Sequence, residues 1–331
     1  MIRNKQFVSI RGEAGSGKSV VCKKLVENEQ YLLYARAERF VEESDIDNIW
    51  HIPVADALLY LHNKPVTFFI DSLEFIADAP STKLDLLQSL YELVKEYPNA
   101  KIITSCRSCD ERSFIKIDSK YTVMPFLVEP LTAGEVYPIA KKYPVIKSFL
   151  KDNSYSALIS IPFYINLIVS NVTDYASISD ENALREYIWE NVICLRNKAP
   201  KHGLSFNEIA KEVTALTFAR AQSFSLGVKK ESIDQAVLNA LVSEGVLIEH
   251  GHGVRLKYDI FEDICFEKEF DNAFVGCRGE YSIFFDHIEK FGRCSYRRYQ
   301  IWIANKILSK ENREKFLYNL ISTTKIPTHW S

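Results

Sequence analysis

The sequence predicts an α/β chain: a parallel sheet covered by helices on both faces, then a helical segment, a winged-helix arrangement and the start of a helical array. Three observations lead there. Short β-like apolar runs alternate with stretches of helical spacing through the first 130 residues. A helix-start signature at Thr132 then opens a stretch that stays helical to about Arg196. Two further helical stretches run into a hairpin whose turn is supplied by glycines.

The β-like runs are Phe7-Val8-Ser9-Ile10, Tyr31-Leu32-Leu33-Tyr34, Val66-Thr67-Phe68-Phe69-Ile70 and Ala100-Lys101-Ile102-Ile103-Thr104. Between them lie segments such as Leu84 to Lys95, whose apolar residues recur at helical spacing, and strands alternating with helices imply a parallel sheet buried on both faces. A fifth run, Thr122 to Leu127, closes the alternation. In Pro130-Leu131-Thr132-Ala133-Gly134-Glu135 the spacing of Thr132 and Glu135 predicts a capped helix start.

Pro200-Lys201-His202-Gly203 punctuates the chain and marks a boundary. Beyond it, Ser205 to Ala221 and Lys230 to Ser243 read as helices. They lead into Val246-Leu247-Ile248-Glu249 and Val254-Arg255-Leu256-Lys257, joined by His250-Gly251-His252-Gly253. That order is a winged-helix pattern. After Asp259 the chain is helical and aromatic, with Tyr296, Tyr299 and Trp302 near helical spacing, and it runs to Ser331 without a cap, as expected of a chain cut inside a helical array.

The most informative segment directly follows the first strand. Gly12-Glu13-Ala14-Gly15-Ser16-Gly17-Lys18-Ser19 satisfies the phosphate-binding P-loop pattern, and the next helix begins at Lys18. Glycines let backbone N–H groups curl around phosphates, Lys18 reaches the β- and γ-phosphates, and Ser19 ligates Mg²⁺. The helix dipole favours the same anion, so the loop and Val20 form the candidate nucleotide cradle.

Mg²⁺ also needs a carboxylate at the end of a neighbouring buried strand. Phe68-Phe69-Ile70-Asp71 supplies one at the carboxyl edge, where parallel sheets place their ligands; the alternative for Asp71 is a cap on the next helix. Glu74, three residues on, is placed to orient or deprotonate an attacking water, or else is a solvated acid on a loop. Arg107, at the end of the strand Ile103-Thr104-Ser105-Cys106, is a candidate sensor of the γ-phosphate, against a surface ion pair as the plainer role.

Composition sets the outer limits. The chain of 331 residues has room for two or three domains, with 47% apolar and 25% charged residues, as in ordinary globular proteins. Its 41 basic and 43 acidic residues leave a net charge of −2, which gives no field to hold it on nucleic acid or an anionic membrane. No apolar run reaches the ~18 residues that would span a bilayer, and Met1 to Gln6 lacks a signal-peptide core, so the cytosol is the expected location.

Seven cysteines, an odd number, read as reduced thiols. Cys106-x-x-Cys109 has no second pair to complete a zinc site, and His250 and His252 sit in a glycine-rich turn where solvation explains them.

Together these residues resemble the STAND NTPases, a branch of the AAA+ superfamily that includes NACHT and NB-ARC proteins. The likeness covers residues 1–275. It is carried by the P-loop, Phe69-Ile70-Asp71-Ser72-Leu73-Glu74, Ile103-Thr104-Ser105-Cys106-Arg107, Glu129-Pro130-Leu131-Thr132, Ile161-Pro162-Phe163 and the winged-helix segment. The resemblance implies a P-loop nucleotide-binding domain (1–130), a helical lid (131–200), a winged helix (201–275) and a helical segment that opens a repeat array (276–331).

It implies further that Pro162 packs against the nucleotide base, the plainer role being a helix start. Tyr258 stands where the class often carries a histidine on the β-phosphate; a phenol can donate a hydrogen bond there but brings no charge. The likeness also implies an ATP/ADP switch with Mg²⁺: slow hydrolysis coupled to conformational change and homo-oligomerisation, with an unidentified protein trigger and effector. Many bacterial members of the class serve antiphage defence.

Two other classes are weighed beside it. A DNA-associated ATPase would use the winged helix to grip nucleic acid, yet Lys229-Lys230 and Arg297-Arg298 are isolated pairs and not a basic stripe. A small-molecule kinase has no use for the long helical and winged-helix region. ATP is expected over GTP because no Asn-Lys-x-Asp motif occurs.

Overall fold

The computed structural model describes residues 5–77, 82–108, 111–150, 156–171, 178, 181–251, 253–292, 294–309 and 318. The chain divides into two units, Met1–Leu184 and Arg185–Ser331. Expectations for Cys109, His252 and the stretch past Ser309 other than Tyr318 fall outside the described residues.

The first unit contains the expected parallel sheet. Strands β1 (Phe7–Gly12), β2 (Tyr31–Arg36), β3 (Val66–Asp71), β4 (Ala100–Arg107) and β5 (Met124–Leu127) form one parallel sheet in the order β2-β3-β4-β1-β5. Helix α1 (Lys18–Val26) follows β1. The short helices α2 (Glu38–Glu42), α3 (Ile46–Trp50) and α4 (Val54–Tyr60) link β2 to β3, while α5 (Glu74–Ala77) and α6 (Thr82–Lys95) link β3 to β4, and α7 (Glu111–Tyr121) leads to β5.

The two-residue period of a strand sorts the core into two layers. Val8, Ile10, Phe69 and Ile103 face α1 through Cys22 and Val26. Phe7, Phe68, Ile70, Ile102 and Cys106 face the opposite layer, with Leu87, Leu90, Tyr91 and Phe114. Both faces are covered, so β1 and β3 are mainly apolar and buried at every position, the polar Ser9, Arg11, Thr67 and Asp71 included.

Helix α8 (Ala133–Lys142) starts where the spacing predicts. Thr132 accepts from the Glu135 backbone N–H, and the Glu135 carboxylate accepts from the Thr132 N–H at 2.8 Å. Helices α9 (Pro144–Phe149), α10 (Ser156–Ile159), α11 (Pro162–Asn171) and α12 (Glu181–Tyr187) continue the helical stretch.

In the second unit a π-helical stretch, Ile188–Ile193, precedes α13 (Phe206–Ser223), β6 (Val228–Lys229), α14 (Gln235–Ser243), β7 (Leu247–His250) and β8 (Gly253–Leu256). The hairpin forms as expected, but the sheet has a third strand, in the order β6-β8-β7. The helix expected from Lys230 begins instead at Gln235. Lys230–Ser232 makes a 3₁₀ turn, and Asp234 caps α14 by accepting from the N–H groups of Ala236 and Val237.

Helices α15 (Asp259–Gly276), α16 (Tyr281–Glu289) and α17 (Cys294–Ser309) complete this unit. Phe266, Phe270, Phe284, Phe285, Tyr299 and Trp302 form an aromatic core between them, so the aromatic spacing near the end of the chain is a packing signal. Among the described residues no helix is long and apolar enough to cross a membrane.

Candidate functional site

Sheet register gathers the carboxyl ends of three strands. Gly12 pairs with Arg107 across β1 and β4, and Ile70 pairs with Thr104 across β3 and β4, so β4 lies between the loop strand and the acidic strand. By strand parity Asp71, Ser105 and Arg107 fall on the same face as Phe69 and Ile103, the face that α1 covers.

The loop itself has left-handed backbone at Gly15 (φ 77°) and Gly17 (φ 97°), which side chains rarely adopt. A Cβ on Gly12 would lie 2.7 Å from the Val128 carbonyl oxygen, and one on Gly15 would lie 2.7 Å from the Phe163 Cβ. The loop therefore needs glycine for close approach at both places. Lys18 Nζ curls back over it and donates to the carbonyls of Gly12 (2.9 Å) and Glu13 (2.8 Å). Ser16 is buried and its Oγ has no hydrogen-bond partner among the described residues. Glu13 and Val20 are exposed, and Ala14 is half-buried.

Across the loop, Ser19 Oγ donates to both carboxylate oxygens of Asp71, at 3.1 and 3.2 Å. Asp71 also receives the hydroxyl of Ser105. The backbone turns immediately after it: Ser72 is left-handed (φ 66°), and Ser105 ties down the turn, its Oγ accepting from the Ser72 N–H and its carbonyl from the Leu73 N–H, both at 2.8 Å. That turn launches α5 and places Glu74. Its Oε1 accepts from Arg107 Nε at 3.0 Å, with both residues buried.

Pro162 opens α11, and the neighbouring Phe163 N–H donates to the Gly15 carbonyl at 3.3 Å. The Ile161-Pro162-Phe163 segment thus borders the loop. Tyr258 belongs to the second unit, where it precedes α15 and its ring meets Phe261 edge-on at 5.3 Å.

A Mg²⁺-bound nucleoside triphosphate fits this set of residues. Ser19 and Asp71 present hard oxygen donors in mutual contact, the combination Mg²⁺ takes beside phosphates. The buried Ser16 hydroxyl, the glycine-only backbone and the N-terminus of α1 together form an anion cradle. Bound there, Mg²⁺ would neutralise developing phosphate charge.

Sequence reasoning assigns Ser105 no role, and only the strand order that inserts β4 beside β3 reveals one. No local signal marks it. Among the described residues no group of three His, Cys, Asp or Glu side chains is placed to hold a metal ion. His202 contacts Glu244 at 3.2 Å, and Cys106 is a buried free thiol.

No protein-family model matches the chain, and no curated protein matches it. Solved structures similar to it include the Walker-type ATPase of Pyrococcus abyssi, at 12% identity over 80% of this chain and 92% of that one, with a TM-score of 0.39. The Aeropyrum pernix ORC1 protein in complex with DNA is 13% identical over 82% of this chain and 89% of that one (TM-score 0.38). AMPPCP-bound DnaA from Aquifex aeolicus is 13% identical over 72% and 82% (TM-score 0.32).

Proposed function

We propose that the chain is an ATP-binding switch of the STAND type, which hydrolyses ATP slowly with Mg²⁺ and couples the bound nucleotide to a change of conformation and to homo-oligomerisation. The observation that carries this reading is the buried contact between Glu74 and Arg107. The residue suited to activate water and the residue suited to read the γ-phosphate hold each other.

In this reading residues 1–130 bind the nucleotide, 131–200 form the lid, 201–275 the winged helix and 276–331 the helical segment. Lys18 moves from the carbonyls of Gly12 and Glu13 to the β- and γ-phosphates, a stronger charge-assisted contact. Ser19 and Asp71 hold Mg²⁺. A γ-phosphate draws the Arg107 guanidinium, and Glu74, released from it, orients a water and accepts its proton. Hydrolysis is slow because the base is available only after that exchange. Pro162 borders the base.

Nucleic acid is not the preferred partner. The exposed residues of α14 are Gln235, Ala236, Asn239 and Ser243, which bring no cation to a phosphate backbone. The setting of antiphage defence comes from the resemblance of the motifs alone, and the cytosolic location from the lack of an apolar run long enough to span a bilayer.

The test is the nucleotide content and mass in solution of the purified chain, wild type beside Lys18→Ala and Asp71→Ala, before and after ATP with Mg²⁺. Retained ADP on a monomer, or ATP-dependent assembly that Lys18→Ala abolishes, supports the switch. Rapid steady turnover by a monomer, indifferent to both substitutions, sinks it.

A further inference from the structure

We propose that Ser105 is a positioning residue of the metal–nucleotide site, orienting Asp71 for Mg²⁺ and holding the turn from which Glu74 starts; this rests on the nucleotide reading above. Ser105 is 1% exposed, on a strand paired on both sides. A hydroxyl has one proton to donate and lone pairs to accept. Here the proton goes to Asp71 Oδ1 and the oxygen accepts from the Ser72 N–H, so one side chain joins the carboxylate to the left-handed residue after it.

The hydroxyls of Ser19 and Ser105 both reach Asp71, and they are not equivalent. Ser19 sits in the first turn of α1 and is the hydroxyl that would ligate Mg²⁺ through its oxygen, so its position answers to the cation as well as to the carboxylate. Ser105 lies inside the sheet and cannot follow. It is the contact that keeps Asp71 Oδ1 fixed while the carboxylate takes up the cation, and preorganisation of that kind is expressed in metal affinity. A serine that merely satisfied a buried strand would affect stability without touching the metal selectively.

The experiment measures Mn²⁺ affinity by electron paramagnetic resonance on the full chain saturated with ADP, and ADP affinity in EDTA, for wild type, Ser105→Ala, Ser105→Cys and Ser105→Thr. Cysteine fills the space of serine, slightly larger and with only a weak donor, so it decides the matter if the alanine variant folds poorly. The expected result is an about tenfold loss of Mn²⁺ affinity for Ala and Cys, the scale of one hydrogen bond to a charged group, with Thr close to wild type. ADP affinity in EDTA stays unchanged throughout. Wild-type Mn²⁺ affinity in the Ala and Cys variants, or an equal loss of ADP affinity in EDTA, overturns the role of Ser105. A wild-type chain that binds neither ADP nor Mn²⁺–ADP overturns the nucleotide reading itself, and the proposal with it.

Discussion

Arg107 Nε donates to Glu74 Oε1 across 3.0 Å, and the two side chains, 5% and 4% exposed, come from the end of β4 and the start of α5. An ion pair this deep repays its desolvation only through good geometry, and removing one partner strands the other charge. The pair is therefore a structural strut and, in the proposed switch, the contact that nucleotide must break.

Arg107→Ala is expected to destabilise the first unit by about 3–5 kcal/mol, because it leaves Glu74 as a buried carboxylate without its guanidinium. Combining Glu74→Gln with Arg107→Met recovers most of that loss. Urea unfolding of Glu74→Gln, Arg107→Met and the double variant measures the coupling directly. Strict additivity would show that the contact contributes nothing.

Gly15 and Gly17 both have positive φ, but they differ in surroundings. A Cβ at Gly17 meets nothing within 4 Å, whereas one at Gly15 meets Phe163 Cβ at 2.7 Å. Gly17→Ala should cost roughly 1 kcal/mol of backbone strain, and Gly15→Ala more, since α11 must also shift. Thermal melts of the pair would contradict this if Gly17→Ala proved the worse.

Ser72 holds a left-handed conformation (φ 66°) that glycine adopts without penalty. Ser72→Gly should therefore be neutral or stabilising, by up to about 1 kcal/mol, even though it sits beside Asp71. A clear drop in unfolding free energy would mean that the Ser72 side chain has a role of its own.

The buried thiols predict an alkaline limit. Burial, with the Asp71 charge adding to it, pushes Cys22 up to about 12, and burial pushes Cys265 to about 12 as well. In the unfolded chain these thiols ionise near 9.0, so above that pH the unfolded state has lost protons that the folded state keeps. The stabilising contribution is complete below pH 9 and is lost as pH rises toward 12, at about 1 kcal/mol per thiol for the first step of one pH unit. Melting temperatures at pH 8 and 10 should fall accordingly, and Cys22→Ala with Cys265→Ala should flatten the fall.

How much of the fold is legible in the sequence depends on how local each signal is. The parallel sheet can be read because β1 and β3 are buried on both faces and so are dominated by apolar residues, as in Phe68-Phe69-Ile70. The helix start at Thr132 is legible because a capping box needs residues only three apart. The hairpin β7–β8 announces itself through its glycines, while β6, two residues long, leaves no period to detect. The start of α14 escapes for a similar reason: Lys230 to Ser232 keeps a helical look, and the cap at Asp234 decides.

The sequence by itself determined the fold class and the glycine loop of the candidate site, since a strand, a glycine turn and a helix start are written in contiguous residues. Only the tertiary structure decided which side chains share the carboxyl edge. Glu74 and Arg107 are 33 positions apart, and Ser105 and Asp71 are 34. Nothing in either segment specifies that β4 inserts between β1 and β3. That order follows from covering both faces of the sheet at once, a condition on the whole domain, and strand parity then turns Asp71, Ser105 and Arg107 toward α1.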